Sequence, residues 1–134
     1  MKQFTIHLQS PSLYERMDGV TRFVAVDESG SFGILPGHER MMTVLSPGIA
    51  RLQLENGDIE YLGLAESVLY YVRNQLYIST AKYIRDRDYA RLSAVLRERL
   101  QEEQQLRTEM RETVHRMEEA LLRQLLKHPG ELSL

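Results

Sequence analysis

The side chains able to do chemistry are few and scattered. The four histidines are His7, His38, His115 and His128. No two have metal-ligand spacing, and none has carboxylates nearby in a ligating arrangement. The chain has no cysteine, so disulfides, thiolate nucleophiles and cysteine-based metal sites are all excluded. Gly30-Ser31-Phe32-Gly33 is too short for a phosphate loop of the G-x-x-x-x-G-K or G-x-G-x-x-G type. Ser29, Ser31 and Ser46 lack the G-x-S-x-G setting of an activated nucleophile. Glu102/Glu103 and Glu118/Glu119 are paired carboxylates in a helical pattern. They read as solvated charge, since acid–base work needs a cleft that shifts the pKa. Nothing assembles a reaction. The expectation is a binding or structural protein, with no catalytic residue, cofactor or metal.

The elements that must position these residues change character near residue 85. Seven of the eight glycines and three of the four prolines precede it, and neither type occurs from Asp86 to His128. Before the switch, apolar residues alternate. Phe4, Ile6 and Leu8 line one face of a first strand; Val20, Arg22, Val24 and Val26 line one face of a second, opposite Phe23 and Ala25. Further strands are expected at 42–45, 49–54, 58–64, 67–73 and 75–80. Asn56-Gly57 is the strong hairpin signal, because a two-residue turn there takes positive φ at both positions; Arg73-Asn74-Gln75 is the weaker one. Short strands at this spacing predict a sandwich or barrel over residues 1–84.

Residues 85–134 read as helical. Leu92, Leu96 and Leu100, then Leu106, Met110, Val114, Met117, Leu121 and Leu125, recur mostly at steps of three or four. The stripe slips by six across the polar Gln101–Gln105 run. That leaves two outcomes: a helical hairpin, or one long helix whose apolar face turns. Asp86 and Asp88 suit a helix start, and His128-Pro129-Gly130 a stop. Glu103/Arg107, Glu112/Arg116 and Glu119/Arg123 have favourable i,i+4 spacing. The fold class is therefore α+β, an all-β sandwich followed by a long helix or helical hairpin. A net charge of −2 argues against nucleic acid or anionic lipid as the main partner. No stretch approaches the ~20 apolar residues of a membrane span, and Met1–Thr5 lacks the apolar run of a leader peptide.

One segment mixes glycines and a proline with apolar anchors: Gly30-Ser-Phe-Gly-Ile-Leu-Pro-Gly-His38. It reads either as an ordinary interstrand loop with a few buried anchors or as a docking surface. It resembles the "G-x-F-G-I-L-P-G-H" stretch of epsilon subunits of F-type ATP synthases. Met42-Thr43-Val44-Leu45-Ser46-Pro47-Gly48 is similar to the family's following "L-T-x-L-x-P-G", and 74–81 to its last strand. The resemblance covers roughly residues 4–90. It implies a non-catalytic stalk subunit that touches the gamma subunit and the c-ring through Ser31, Phe32, His38, Glu39, Arg40 and Met42. It also implies a helical part able to extend along gamma and block hydrolysis. Arg107, Arg111, Arg116 and Arg123 would then meet acidic surfaces of the catalytic alpha and beta subunits. The implied location is peripheral, on the cytoplasmic face of the bacterial inner membrane, without direct insertion.

The chain departs from the family pattern in three places. Ala65-Glu66 stands where many members have Gly-Gly. Asp88-Tyr89-Ala90-Arg91 keeps only the Asp and Arg of an ATP-binding (I/L)-D-x-x-R-A signature. No break separates two C-terminal helices. These departures imply a divergent branch, such as the sodium-translocating relatives. From the residues alone, a free-standing sandwich adaptor that dimerises through its helix is the alternative.

Overall fold

The computed structural model describes residues 3–127. Among them the strands are β1 (Phe4–Gln9), β2 (Tyr14–Asp27), β3 (Gly30–Ile34), β4 (Met41–Leu45), β5 (Gly48–Leu54), β6 (Ile59–Leu64), β7 (Ser67–Val72), β8 (Gln75–Thr80) and β9 (Tyr83–Asp86), followed by helix α1 (Tyr89–Lys127). The chain divides between Val95 and Leu96 into two compact units.

The first unit is a β-sandwich joined by one long strand. β2 has 14 residues and serves both layers. Its first half pairs with β1, which continues through β8 and β7 to β4. Its second half lies between β3 and β5, and that layer continues through β6 to the edge strand β9. The bend falls at Gly19, held at φ +72°, where a side chain would be strained. Register shifts flank it in both ladders. The core is built from inward-facing residues at period two, with Tyr71, Phe23, Ile6, Leu8, Leu69 and Ile78 among the fully buried side chains. Each such side chain contributes about 1.5–3 kcal/mol by leaving water.

Several expectations change here. Val20 is buried together with Phe23 and Ala25, whereas Val26 faces out. The bulge between Val20 and Arg22 supplies an extra residue, which swaps the faces halfway along the strand. Gly30–Ile34 is not loop but a strand paired with β2. The two hairpin signals trade rank. Arg73 and Asn74 both take positive φ, 50° and 59°, and form the two-residue turn between β7 and β8. At Asn56-Gly57 only the glycine does, φ +90°, after a turn closed by Gly57 N–H to the Leu54 carbonyl at 2.9 Å.

Helix α1 has 39 residues, without a hairpin; at 1.5 Å per residue that is about 58 Å. Asp88 caps it: its Oδ1 accepts from Arg91 N–H at 3.2 Å, and its carbonyl from Leu92 N–H. Arg91 in turn holds Asp86 with two bonds of 2.6 and 2.7 Å. This pair drives the Asp86 carboxyl down to about 2. The apolar stripe does not turn with the phase slip. Each step of four advances about 40° and the step of six returns about 120°, so the slip restores the face. None of the three expected Glu/Arg pairs forms an ion pair among the described residues. Glu119 pairs instead with His115 at 3.1 Å, and its carbonyl accepts from Arg123 Nε. Such exposed pairs are worth only a few tenths of a kcal/mol, about 0.2–0.5, too little to dictate one geometry. His128-Pro129-Gly130 lies outside the described residues.

Candidate partner-docking site

The docking segment begins as strand and ends as a braced turn. Ser31 lies on β3 opposite Val26 and is exposed. Phe32, its neighbour, turns inward and is half-buried against the core. Ile34 is fully buried and plugs the sandwich. Leu35-Pro36-Gly37-His38 then forms a tight turn. Proline sits at the second position, Gly37 has φ +83°, and His38 N–H donates to the Leu35 carbonyl at 3.1 Å. That is the type II pattern, in which proline pre-sets φ and glycine tolerates the positive value.

The turn is tied to the β7–β8 hairpin. Gly37 N–H and the Tyr71 hydroxyl both donate to Asn74 Oδ1, at 2.8 and 2.7 Å. His38 meets the Tyr71 ring edge-on at 5.7 Å, and its Nδ1 donates to the Glu39 carbonyl at 2.7 Å. Burial pushes the Tyr71 hydroxyl above its ordinary value, while the Gly37 and His38 amides pull it back. Asp27 braces the next strand. It accepts from the Thr43 hydroxyl at 2.8 Å, while Ser29 donates to its other oxygen. These bonds, Ser29 first, hold the Asp27 carboxyl below the usual carboxylate range.

With its anchors inside, the segment presents Leu35, His38, Glu39, Arg40 and Met42 to solvent. Met42 is 68% exposed and opens a row that crosses the outer face of the β4–β7–β8–β1 layer. Met42 lies opposite Tyr70, Tyr70 opposite Tyr77, and Tyr77 beside His7. Tyr70 and Tyr77 stack at 6.3 Å, and Tyr77 and His7 at 4.6 Å. The Arg40 guanidinium sits 5.7 Å above the Tyr70 ring, in cation–π range. His7 is held by Tyr14 Oη on one ring nitrogen and Gln75 Oε1 on the other, each at 2.6 Å. Val44 and Val68, opposite each other, form a second exposed apolar row.

The structure thus gathers His38, Glu39, Arg40 and Met42 at one end of this face and leaves Ser31 and Phe32 on the other layer. It adds Tyr70, Tyr77 and His7, which the docking-loop reading omits. Their signal lies in the sequence: Val68-Leu69-Tyr70-Tyr71 is apolar on both strand faces, so one face must be displayed or covered by something else.

The helical candidates separate into two pairs. At about 100° per residue, Arg107 and Arg111 flank the apolar stripe, whereas Arg116 and Arg123 lie across the helix from it. All four are exposed. The partial nucleotide signature is used internally, Asp88 as the cap and Arg91 on Asp86. Among the described residues no three His, Asp or Glu side chains cluster as metal ligands, and no helix is long and apolar enough to cross a membrane.

Comparison with known proteins agrees with this architecture. Residues 3–86 match the family "ATP synthase, Delta/Epsilon chain, beta-sandwich domain". A 50-residue segment is 46% identical to the ATP synthase epsilon chain of Acinetobacter baylyi; it spans 37% of this chain but only 36% of that relative. In solved structures, the fold resembles a chain of the Euglena gracilis mitochondrial ATP synthase (OSCP/F1/c-ring), with TM-score 0.60 and 20% identity over 73% of this chain and 64% of that one. It also resembles one in the central stalk/c-ring of the Tetrahymena thermophila enzyme, with TM-score 0.53 and 17% identity over 63% and 66% of the two chains. With residues 3–86, the whole span of the sandwich strands, matched by one family, the chain belongs to the delta/epsilon chain family of ATP synthase, as an epsilon-type member.

Proposed function

We propose that this chain is a non-catalytic central-stalk subunit of a rotary F-type ATP synthase. Its sandwich domain, residues 1–84, docks on the gamma subunit and the c-ring and couples ion translocation, of protons or sodium, to ATP synthesis. Its helical domain, residues 85–134, restrains ATP hydrolysis by engaging the catalytic alpha and beta subunits through Arg107, Arg111, Arg116 and Arg123. The subunit sits peripherally, on the cytoplasmic face of the bacterial inner membrane. The fold it shares with chains of the Tetrahymena central stalk/c-ring and the Euglena OSCP/F1/c-ring supports this reading.

The observation that carries the docking claim is the displayed face: a rigid turn bearing His38, Glu39 and Arg40, continuous with Met42, Tyr70, Tyr77 and His7. Aromatic rings, methionine and arginine are enriched in buried interface centres, because they cover much area at small entropic cost. Ser31 and Phe32 extend the contact around the edge of β3. Co-purification tests the proposal. Tagged wild-type chain should retain gamma and the c-ring, and Met42→Asp combined with Tyr77→Asp should weaken that retention by about tenfold or more. A lone soluble homodimer that retains neither partner would overturn the stalk role in favour of the adaptor.

A further inference from the structure

Strand β9 is unlike the other strands of the sandwich. Among the described residues it alone contributes no buried side chain; its pattern is half-buried, half-buried, exposed, half-buried. It is an edge, bonded to β6 alone. Its ladder is one-sided, and its one apolar hold on the core is the half-buried Tyr83.

A polar cluster supplies the rest of the hold. Tyr83 and Arg85 pair with Leu64 and Leu62 of β6, so they share the inward face with Glu60. Arg85 donates to Glu60 Oε1 from Nη2 at 2.8 Å and from Nε at 3.3 Å. Its Nη1 reaches across to Glu15 Oε2 at 2.5 Å. The Tyr83 hydroxyl donates to the other Glu15 oxygen, also at 2.5 Å. Glu15 lies on the first half of β2, in the opposite layer. The cluster therefore bridges the two layers across the open edge of the sandwich. Glu60 is only 7% exposed, and Arg85 supplies its countercharge at 2.8 Å. The residues that follow β9 start the helix, with Asp86 held by Arg91, and Leu92 fully buried.

We propose that β9 is a detachable clasp, with Arg85 as its pin: the Glu15–Arg85–Glu60–Tyr83 cluster, rather than core packing, decides whether the segment leading into the helix stays zipped to β6. Lifting β9 withdraws one half-buried ring, Tyr83, from the core and no fully buried side chain. It also strips the countercharge from the nearly buried Glu60 carboxylate. The device lies wholly within the first unit and works in the isolated chain, so its test is independent of any synthase partner.

Hydrogen exchange on the full-length chain, read peptide by peptide, provides that test. Arg85→Gln should speed exchange over 83–92 by about tenfold or more, while β7 and β8 keep their protection. Trypsin should cut after Arg87 correspondingly faster. Unchanged protection over 83–92 overturns the clasp. So does an equal loss in every strand, which would mark Arg85 as a general stability residue. If Arg85→Gln does not fold, Tyr83→Phe decides by the same two criteria, with an expected rise of about threefold.

Discussion

Single side chains in this protein are tuned by one or two neighbours, and the Tyr83–Glu15 bond shows how. The Tyr83 hydroxyl, then Arg85, hold the Glu15 carboxyl below the usual carboxylate range against an opposing push from burial. Burial and the same bond push Tyr83 up to about 12. The sign for stability follows. A carboxylate whose folded pKa is depressed contributes above its unfolded value of about 4.3 and loses that contribution as pH falls through the folded value. Asp18 and Asp27, also depressed, act in the same direction. Wild-type urea midpoints should therefore fall below about pH 5, and Glu15→Gln should start lower at pH 7 but show a shallower acid decline. Parallel acid limbs in wild type and variant would show that Glu15 gains nothing from its bonds.

At the scale of elements, turns decide what is displayed. Asn74 is in left-handed geometry, and its side chain accepts from both Gly37 N–H and Tyr71. Two substitutions separate these roles. Asn74→Gly keeps the backbone conformation and loses the bonds, which should cost about 1–2 kcal/mol. Asn74→Ala should cost about 1 kcal/mol more, because a Cβ disfavours positive φ. Equal stability of Asn74→Gly and wild type in denaturant melts would show that the docking turn is not braced by this hairpin. Ile34 anchors the turn, Pro36 fixes its φ and the Asn74 bond holds Gly37, so the turn meets a partner without a large ordering cost.

For the whole molecule, the question is what a sandwich gains from a 39-residue helix whose apolar stripe is exposed, as at Leu106, Met110, Met117 and Leu121. A lone helix cannot bury its own stripe, and its stability in water is marginal without packing. The proposed brake gives the stripe and its arginines a partner. Deleting 86–134 should then raise ATP hydrolysis by the assembled complex at least about twofold, a change of roughly 0.4 kcal/mol in the barrier. Hydrolysis unchanged by the deletion would refute the brake while leaving docking intact.

Local patterning already specified the two-part plan. Alternation set the sandwich strands, the absence of Gly and Pro set the helix, and the 30–48 motif pointed to the family, because each is written in adjacent residues. Long-range contacts supplied the rest. Whether Gln101–Gln105 bends back depends on packing as well as propensity, and the result is continuous helix. Val20 changed faces because a bulge is defined by its partner strand. The row from Met42 to His7 joins residues from four strands, and the Arg85 cluster joins β2, β6 and β9. No local period encodes either, since sheet pairing across sequence separations of up to 70 residues brings them together.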